Sequence, residues 1–247
     1  MTIFAEILLL QKMMKQLTGL ITLICALLIL RMADAKVATP LNCDCKIKPF
    51  AQDKLIGDCS ITAPGQYELS ADCSTGITIS ASHVYLNLKS HVIKNDSHGH
   101  AGRGIVVYKV SNVAIVGPGK ITNFIEGVLL DTATNSSVIG LDSSDNEQGI
   151  HVYVNSANNL LLANQTDSNT SNGIVLGEGS KRNQVFLNST ASNGVGISVK
   201  ATSTDNQIIA NVTSDNSHNL EDGNPNCDHN KWLGNQSNKV NSKSCIH

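Results

Sequence analysis

Gly104-Ile-Val-Val, Gly127-Val-Leu-Leu, Gly149-Ile-His-Val, Gly173-Ile-Val-Leu and Gly196-Ile-Ser-Val are five versions of one phrase, set 23, 22, 24 and 23 residues apart. Two asparagine series keep nearly the same step. Asn123, Asn146, Asn169, Asn193 and Asn216 are spaced by 23, 23, 24 and 23 residues. Asn112, Asn135, Asn159, Asn183, Asn206 and Asn230, each opening another short apolar run, are spaced by 23, 24, 24, 23 and 24. A fixed period of this size marks a repeat architecture, in which one unit cannot bury its apolar face alone and stacking supplies the core.

The content of the repeat selects strands over helices. The apolar runs are three to five residues of Val, Ile and Leu, and Asn, Ser, Gly and Asp interrupt them. β-branched residues favour strands, and the interrupting residues favour turns. A helical repeat would need longer segments with a 3.6-residue period. A leucine-rich horseshoe would show LxxLxL, which is absent, and a propeller blade needs about 40 residues or more. Several short strands per period can coil so that each lies parallel to its copy one turn later, about 4.8 Å away. Stacked Asn side chains then bond from coil to coil, and Asn tolerates the left-handed backbone of a sharp bend.

The chain of 247 residues suits one or two domains; it is 41% hydrophobic, 15% charged and 4% aromatic, with a formal net charge of −2. That is enough apolar material for a core, and the lack of a basic block argues against nucleic acid as a partner. Residues 1–35 read as an export signal. Met13-Met14-Lys15 gives a positive start, Leu17 to Leu30 is an apolar run of 14 residues, and Ala33-Asp34-Ala35 has the small-x-small form of a cleavage site. The run is short of the ~20 residues of a membrane span, so no membrane association is expected once it is removed. Arg31, which follows it, is the feature that would suit a retained anchor. The expectation is a secreted chain, periplasmic in a Gram-negative cell.

Removing the signal takes with it Met1, Met13, Met14, Met32 and Cys25. Six cysteines remain, and an even number after export reads as disulfides. Cys43, Cys45, Cys59 and Cys73 crowd the start and Cys227 and Cys245 the end. Cys227 and Cys245 have only each other nearby, and Cys43 and Cys45, too close to pair, are each expected to bond to Cys59 or Cys73. Such staples belong where an open coil end would expose unpaired strand edges. Trp232, the only tryptophan, is expected to cover the final coil. The layout expected is signal 1–35, Cys-rich cap and lead-in strands 36–75, repeats 76–235 and C-terminal cap 236–247.

At this point the chain resembles the right-handed parallel β-helix proteins, a group that includes pectate lyases, polygalacturonases, alginate epimerases and the periplasmic copper-binding β-helix accessory proteins. The segment Ile61-Thr-Ala-Pro-Gly-Gln-Tyr-Glu-Leu, followed by Gly76-Ile-Thr-Ile and Val84-Tyr-Leu-Asn-Leu, is similar to the start of such a helix, and the resemblance covers about residues 55 to 240. It implies an all-β, single-stranded right-handed solenoid with stapled ends. It implies no single activity, since the group is diverse.

Enzymes of the resembled group work on one exposed sheet face across several coils. In each Gly-led run, alternation turns the first and third apolar residues inward. Val106, Leu129, His151, Val175 and Ser198 then face outward, and two residues on come Tyr108, Asp131, Tyr153, Gly177 and Lys200. Tyr rings stack on sugar faces, while acids and imidazoles bond hydroxyls or move protons. Tyr108, Tyr153 and Lys200 are therefore candidate substrate-binding residues, and Asp131 and His151 candidate catalytic ones. The plain counter-reading is an ordinary solvated strand face. A second candidate is the polar insert from Lys94 to Arg103, where His98 and His100 could ligate a metal; no cofactor is otherwise implied.

The familiar catalytic signatures are missing. There is no Gly-His-Gly with paired Asp and Arg-x-Lys, no Asp-Pro-His, and no placeable acidic calcium cluster. Seven Asn-x-Ser/Thr sequons, at Asn95, Asn135, Asn164, Asn169, Asn188, Asn211 and Asn235, follow from Asn columns flanked by Ser and Thr, and a buried ladder Asn could not carry a glycan. Three functions remain open: a β-helix that recognises polysaccharide or acts on it as a lyase, hydrolase or epimerase; a non-catalytic scaffold or surface protein; and a periplasmic metal accessory protein. Oligomeric state is not legible.

Overall fold

A computed structural model describes residues 39–41, 59–97, 99–239, 243, 245 and 246. The proposed signal, Cys43, Cys45 and His98 lie outside them. Thr39–His247 forms one compact unit, an all-β coil interrupted among the described residues by a single 3-10 turn, Cys227–His229. No helix among the described residues is long and apolar enough to cross a membrane.

Each repeat folds into short strands joined by tight corners, and every strand pairs in parallel with its copies in neighbouring coils. One sheet has eight strands: Cys59–Ile61, Ile77–Ile79, Arg103–Tyr108, Glu126–Asp131, Gln148–Val152, Asn172–Leu176, Val195–Val199 and His218–Asp222. A second has nine, from Thr39–Leu41 through Val113–Val116 and Leu160–Leu162 to Lys231–Leu233. A third, narrower face runs from Val92 through Lys120, Asp142, Gln165, Ser189 and Val212 to Gln236, partly as isolated bridges. The fold is the parallel β-helix that the period predicts. The Gly-led runs fall in register, with Ile105, Val128, Ile150, Ile174 and Ile197 stacked one above another.

The interior follows from alternation. The Ile105 stack, its neighbour Val107–Leu130–Val152–Leu176–Val199, and the facing stack Ile115–Val138–Leu161–Val185–Ile208 belong to one continuous buried cluster. Each fully buried Val, Ile or Leu contributes roughly 1.5–3 kcal/mol relative to exposure. Gly at the head of each run has a steric cause. A Cβ on Gly127 would lie 2.1 Å from Oγ of Ser143 and 2.9 Å from Nδ2 of Asn146, so only a hydrogen fits against the corner.

The corners correct part of the asparagine reading. The buried ladders are Ser136–Asn159–Asn183–Asn206–Asn230, Asn146–Asn169–Asn193–Asn216 and Asn164–Asn188–Asn211–Asn235. In each, a backbone N–H donates to the Asn Oδ1 of the next coil at 2.8–3.0 Å. Asn112, Asn135 and Asn123 do not stack on these ladders. They occupy the position just before, with φ of 59°, 50° and 69°, where Asn158, Arg182 and Asp205, or Asp145, Ser168 and Ser192, follow in later coils. In the later coils a left-handed residue directly precedes a buried amide, as Asn158 precedes Asn159, Ser168 precedes Asn169 and Leu187 precedes Asn188, whereas in the first coils Asn112 precedes Val113 and Asn123 precedes Phe124. The third ladder is visible in sequence only as sequons. Its members Asn164, Asn188 and Asn211 are fully buried, as is Asn169, so these four are not glycan acceptors.

Trp232 stacks on Ile208 as the last residue of the facing interior column and is 3% exposed. Asp222 takes the last place of the other column, beside Val199. Its carboxylate accepts bonds from Trp232 Nε1 at 2.9 Å, Asn230 Nδ2 at 3.2 Å and Asn224 N at 3.0 Å. Cys227 and Cys245 form a disulfide with Cα atoms 6.4 Å apart. Cys59 and Cys73 are also in disulfides.

A candidate polar site on the eight-stranded face

The outer side of the eight-stranded sheet carries the candidate residues in the register that alternation predicts. Asp131 pairs with Tyr108. Leu130 pairs with Val152, and Tyr153 N donates to Leu130 O, which sets Tyr153 beside Asp131 on the next coil. Gly177 and Lys200 continue the row through bonds from their N–H groups to Val152 O and Leu176 O. The two tyrosines therefore stand about 10 Å apart with the aspartate between them. Tyr153 is 43% exposed. The ammonium of Lys109 lies 4.8 Å above the Tyr108 ring, and hydrogen bonding to that side chain raises its pKa. Lys200 is 3.7 Å from Glu221.

The neighbouring column is not the open, solvated surface of the plain reading. Val106 is 0% exposed, and Leu129 and Val175 are 2%, although none of the three belongs to the interior cluster. His151 occupies the same column. Its ring meets Tyr153 edge to face, with centroids 5.1 Å apart and planes at 84°. Asp131 and His151 are the catalytic candidates of the sequence, yet the carboxylate that the structure sets against His151 is Glu126, with Oε1 3.7 Å from Nδ1. Glu126 Oε2 is 2.9 Å from Arg103 Nε. Asp131 accepts instead from Thr132 Oγ1 at 3.0 Å.

Arg103, Glu126 and Gln148 share one column, directly before the opening glycines. Reading the residue ahead of each Gly would have found them. Arg103 belongs to this strand and not to the polar insert, whose remaining loop is tied by a bond from Asn95 Nδ2 to Ala101 O at 2.6 Å. His98 lies outside the described residues, so the structure leaves the His98–His100 pair untested. A shallow recess of about 340 Å³ lies elsewhere, on the nine-stranded sheet by Leu160, Arg182 and Gln184. It holds no acid–base cluster, and Arg182 there is engaged with Asn158 at 2.9 Å, so the polar cluster on the other face is the stronger candidate.

Coils in parallel register around an apolar interior, with a polar cluster on one long face, define the class: a parallel β-helix protein. The profile described as periplasmic copper-binding protein (NosD) matches residues 60–190 and 155–245. These cover well over half of the chain, which therefore belongs to that family. Curated protein sequences give no match. Among solved structures the chain is similar to the A-module of the Azotobacter vinelandii mannuronan C-5 epimerase AlgE6, at 16% identity and a TM-score of 0.57, over 71% of this chain and 51% of that one. It is also similar to a D317A variant of the periplasmic alginate epimerase AlgG, at 16% identity and a TM-score of 0.51, over 70% and 47%. The chain spans about half the length of these proteins, and at such identity the likeness is one of fold.

Proposed function

We propose that this chain is an extracytoplasmic β-helix that recognises polysaccharide, with the sugar chain lying along Tyr108, Asp131, Tyr153, Gly177 and Lys200. The observation that carries the reading is the row itself: two tyrosines flank a carboxylate on successive coils of one outer face. The spacing of about 10 Å suits two stacking subsites with hydroxyl recognition between them. That both epimerases share the fold is consistent with the reading. The extracytoplasmic placement is supported by the leader-like residues 1–35 and by the disulfides.

Retention of the exported chain on a panel of immobilised polysaccharides tests it. Each substitution removes a large ring face that the sugar would cover, so Tyr108→Ala and Tyr153→Ala are each expected to weaken retention and the double variant to abolish it. Undiminished retention by the double variant would remove the site. The same panel, assayed for released or isomerised sugar, decides between a binding protein and a lyase, hydrolase or epimerase.

The family description favours a second reading, copper handling. The described residues do not make a copper centre. No group of three or more His, Cys, Asp or Glu among them could hold a metal, and the described cysteines are in disulfides. All four methionines lie in residues 1–35. A copper role rests on His98 and His100, and stoichiometric Cu uptake lost in a His98→Ala/His100→Ala chain is its test.

A further inference from the structure

Buried polar groups are normally hydrogen-bonded, and each exception calls for a cause. Among the described residues, nine buried side-chain atoms lack a hydrogen-bond partner, and four of them fall in one patch: Arg103 Nε, Glu126 Oε2, Gln148 Oε1 and His151 Nδ1. The Glu126 side chain is only 10% exposed and that of His151 only 12%, although both stand on the outer face of a sheet. Arg103 Nε, 2.9 Å from Oε2, offsets the charge of Glu126 without the alignment of a hydrogen bond. His151 Nδ1 faces the same carboxylate at 3.7 Å. A small rotation of either side chain closes that gap, and such bonds commonly tighten only when a ligand is bound. On the far side of the ring the next coil supplies Gly177, where a Cβ would come within 3.2 Å of His151 Nε2. Any larger residue in this place of the tyrosine row would cover that nitrogen.

We propose that Glu126 is a positioning residue that holds His151 in the tautomer protonated at Nδ1. Nε2 then faces the Gly177 notch as a hydrogen-bond acceptor for a hydroxyl of the bound sugar. The proposal rests on the polysaccharide reading of the same face and adds a polar subsite to its stacking row. The tautomer of a histidine is set by the hydrogen bond at its other nitrogen, and an ionised carboxylate at Nδ1 can only accept. Edge contact with Tyr153 fixes the ring plane.

The test uses the full chain with ¹⁵N-labelled histidine. In the absence of ligand, His151 is expected to be the Nδ1–H tautomer. Glu126→Gln, whose amide can also donate, is expected to move the population toward Nε2–H and to weaken binding of the retained polysaccharide about tenfold, while Glu126→Asp keeps the wild-type tautomer. Gly177→Ala is expected to weaken binding by a similar factor with the tautomer unchanged. An identical tautomer in wild type and Glu126→Gln overturns the proposal, as does full binding by Gly177→Ala. Because the tautomer is read without sugar, the two readings fail separately. Loss of binding in Tyr153→Ala with none in Glu126→Gln or Gly177→Ala removes the subsite and leaves the row.

Discussion

The amide of Asn183 joins three coils. Its Oδ1 accepts from Asn159 N at 3.0 Å and Nδ2 at 3.1 Å, while its Nδ2 donates to Ser156 O and to Asn206 Oδ1, both at 3.1 Å. Removing the side chain orphans two buried donors, each worth about 1–3 kcal/mol. Asn183→Ala is therefore expected to cost about 3 kcal/mol or more in equilibrium denaturation. Asn135→Ala changes an exposed left-handed residue and should cost only about 1 kcal/mol. Equal losses would contradict the ladder register described above. The contrast also shows what can be read from letters alone. Period and residue type revealed that asparagines stack, but Asn135 and Asn159 look alike in sequence. The one-residue offset between a left-handed corner and a buried amide depends on φ, which no spacing encodes. Ala163, Leu187 and Ala210 hold left-handed corners with no signal at all.

At the scale of the strand, alternation states which way a side chain points and not whether that side is open. Val106, Leu129 and Val175 point away from the interior as expected and yet are buried. The last coil shows a related limit. Trp232 was legible as a lone large ring near the end of the chain, whereas its partner Asp222 was not, because a carboxylate closing an apolar column contradicts the pattern of every coil before it. Asp222→Ala should strand Trp232 Nε1 and the amides of Asn224 and Asn230, lowering stability by about 3 kcal/mol. Protection of Trp232 from acrylamide quenching should fall with it; an unchanged denaturation midpoint would show that the lock contributes nothing. Replacing Cys227 and Cys245 by Ser releases a cross-link spanning 18 residues, for which chain entropy gives about 3 kcal/mol. The same denaturation measurement checks it.

For the whole molecule, stacking makes the fold a sum of similar coils and offers two long outer faces of different character. The nine-stranded sheet presents the apolar column Ile139, Leu162, Phe186 and Ile209, and the eight-stranded sheet presents the tyrosine row and the Glu126–His151 cluster. Repeats made the architecture plain from sequence, and the rows followed from it. Glu126 stayed hidden because it is the residue before a glycine and lies outside the apolar phrase that defines the repeat. The proposed function belongs to the second face. Hydrogen–deuterium exchange of the full chain, with and without the polysaccharide it retains, should show protection confined to residues 103–108, 126–131, 148–153, 172–177 and 195–200. Protection centred on residues 160–162 and 184–186, or no polysaccharide retained from a broad panel, would contradict it.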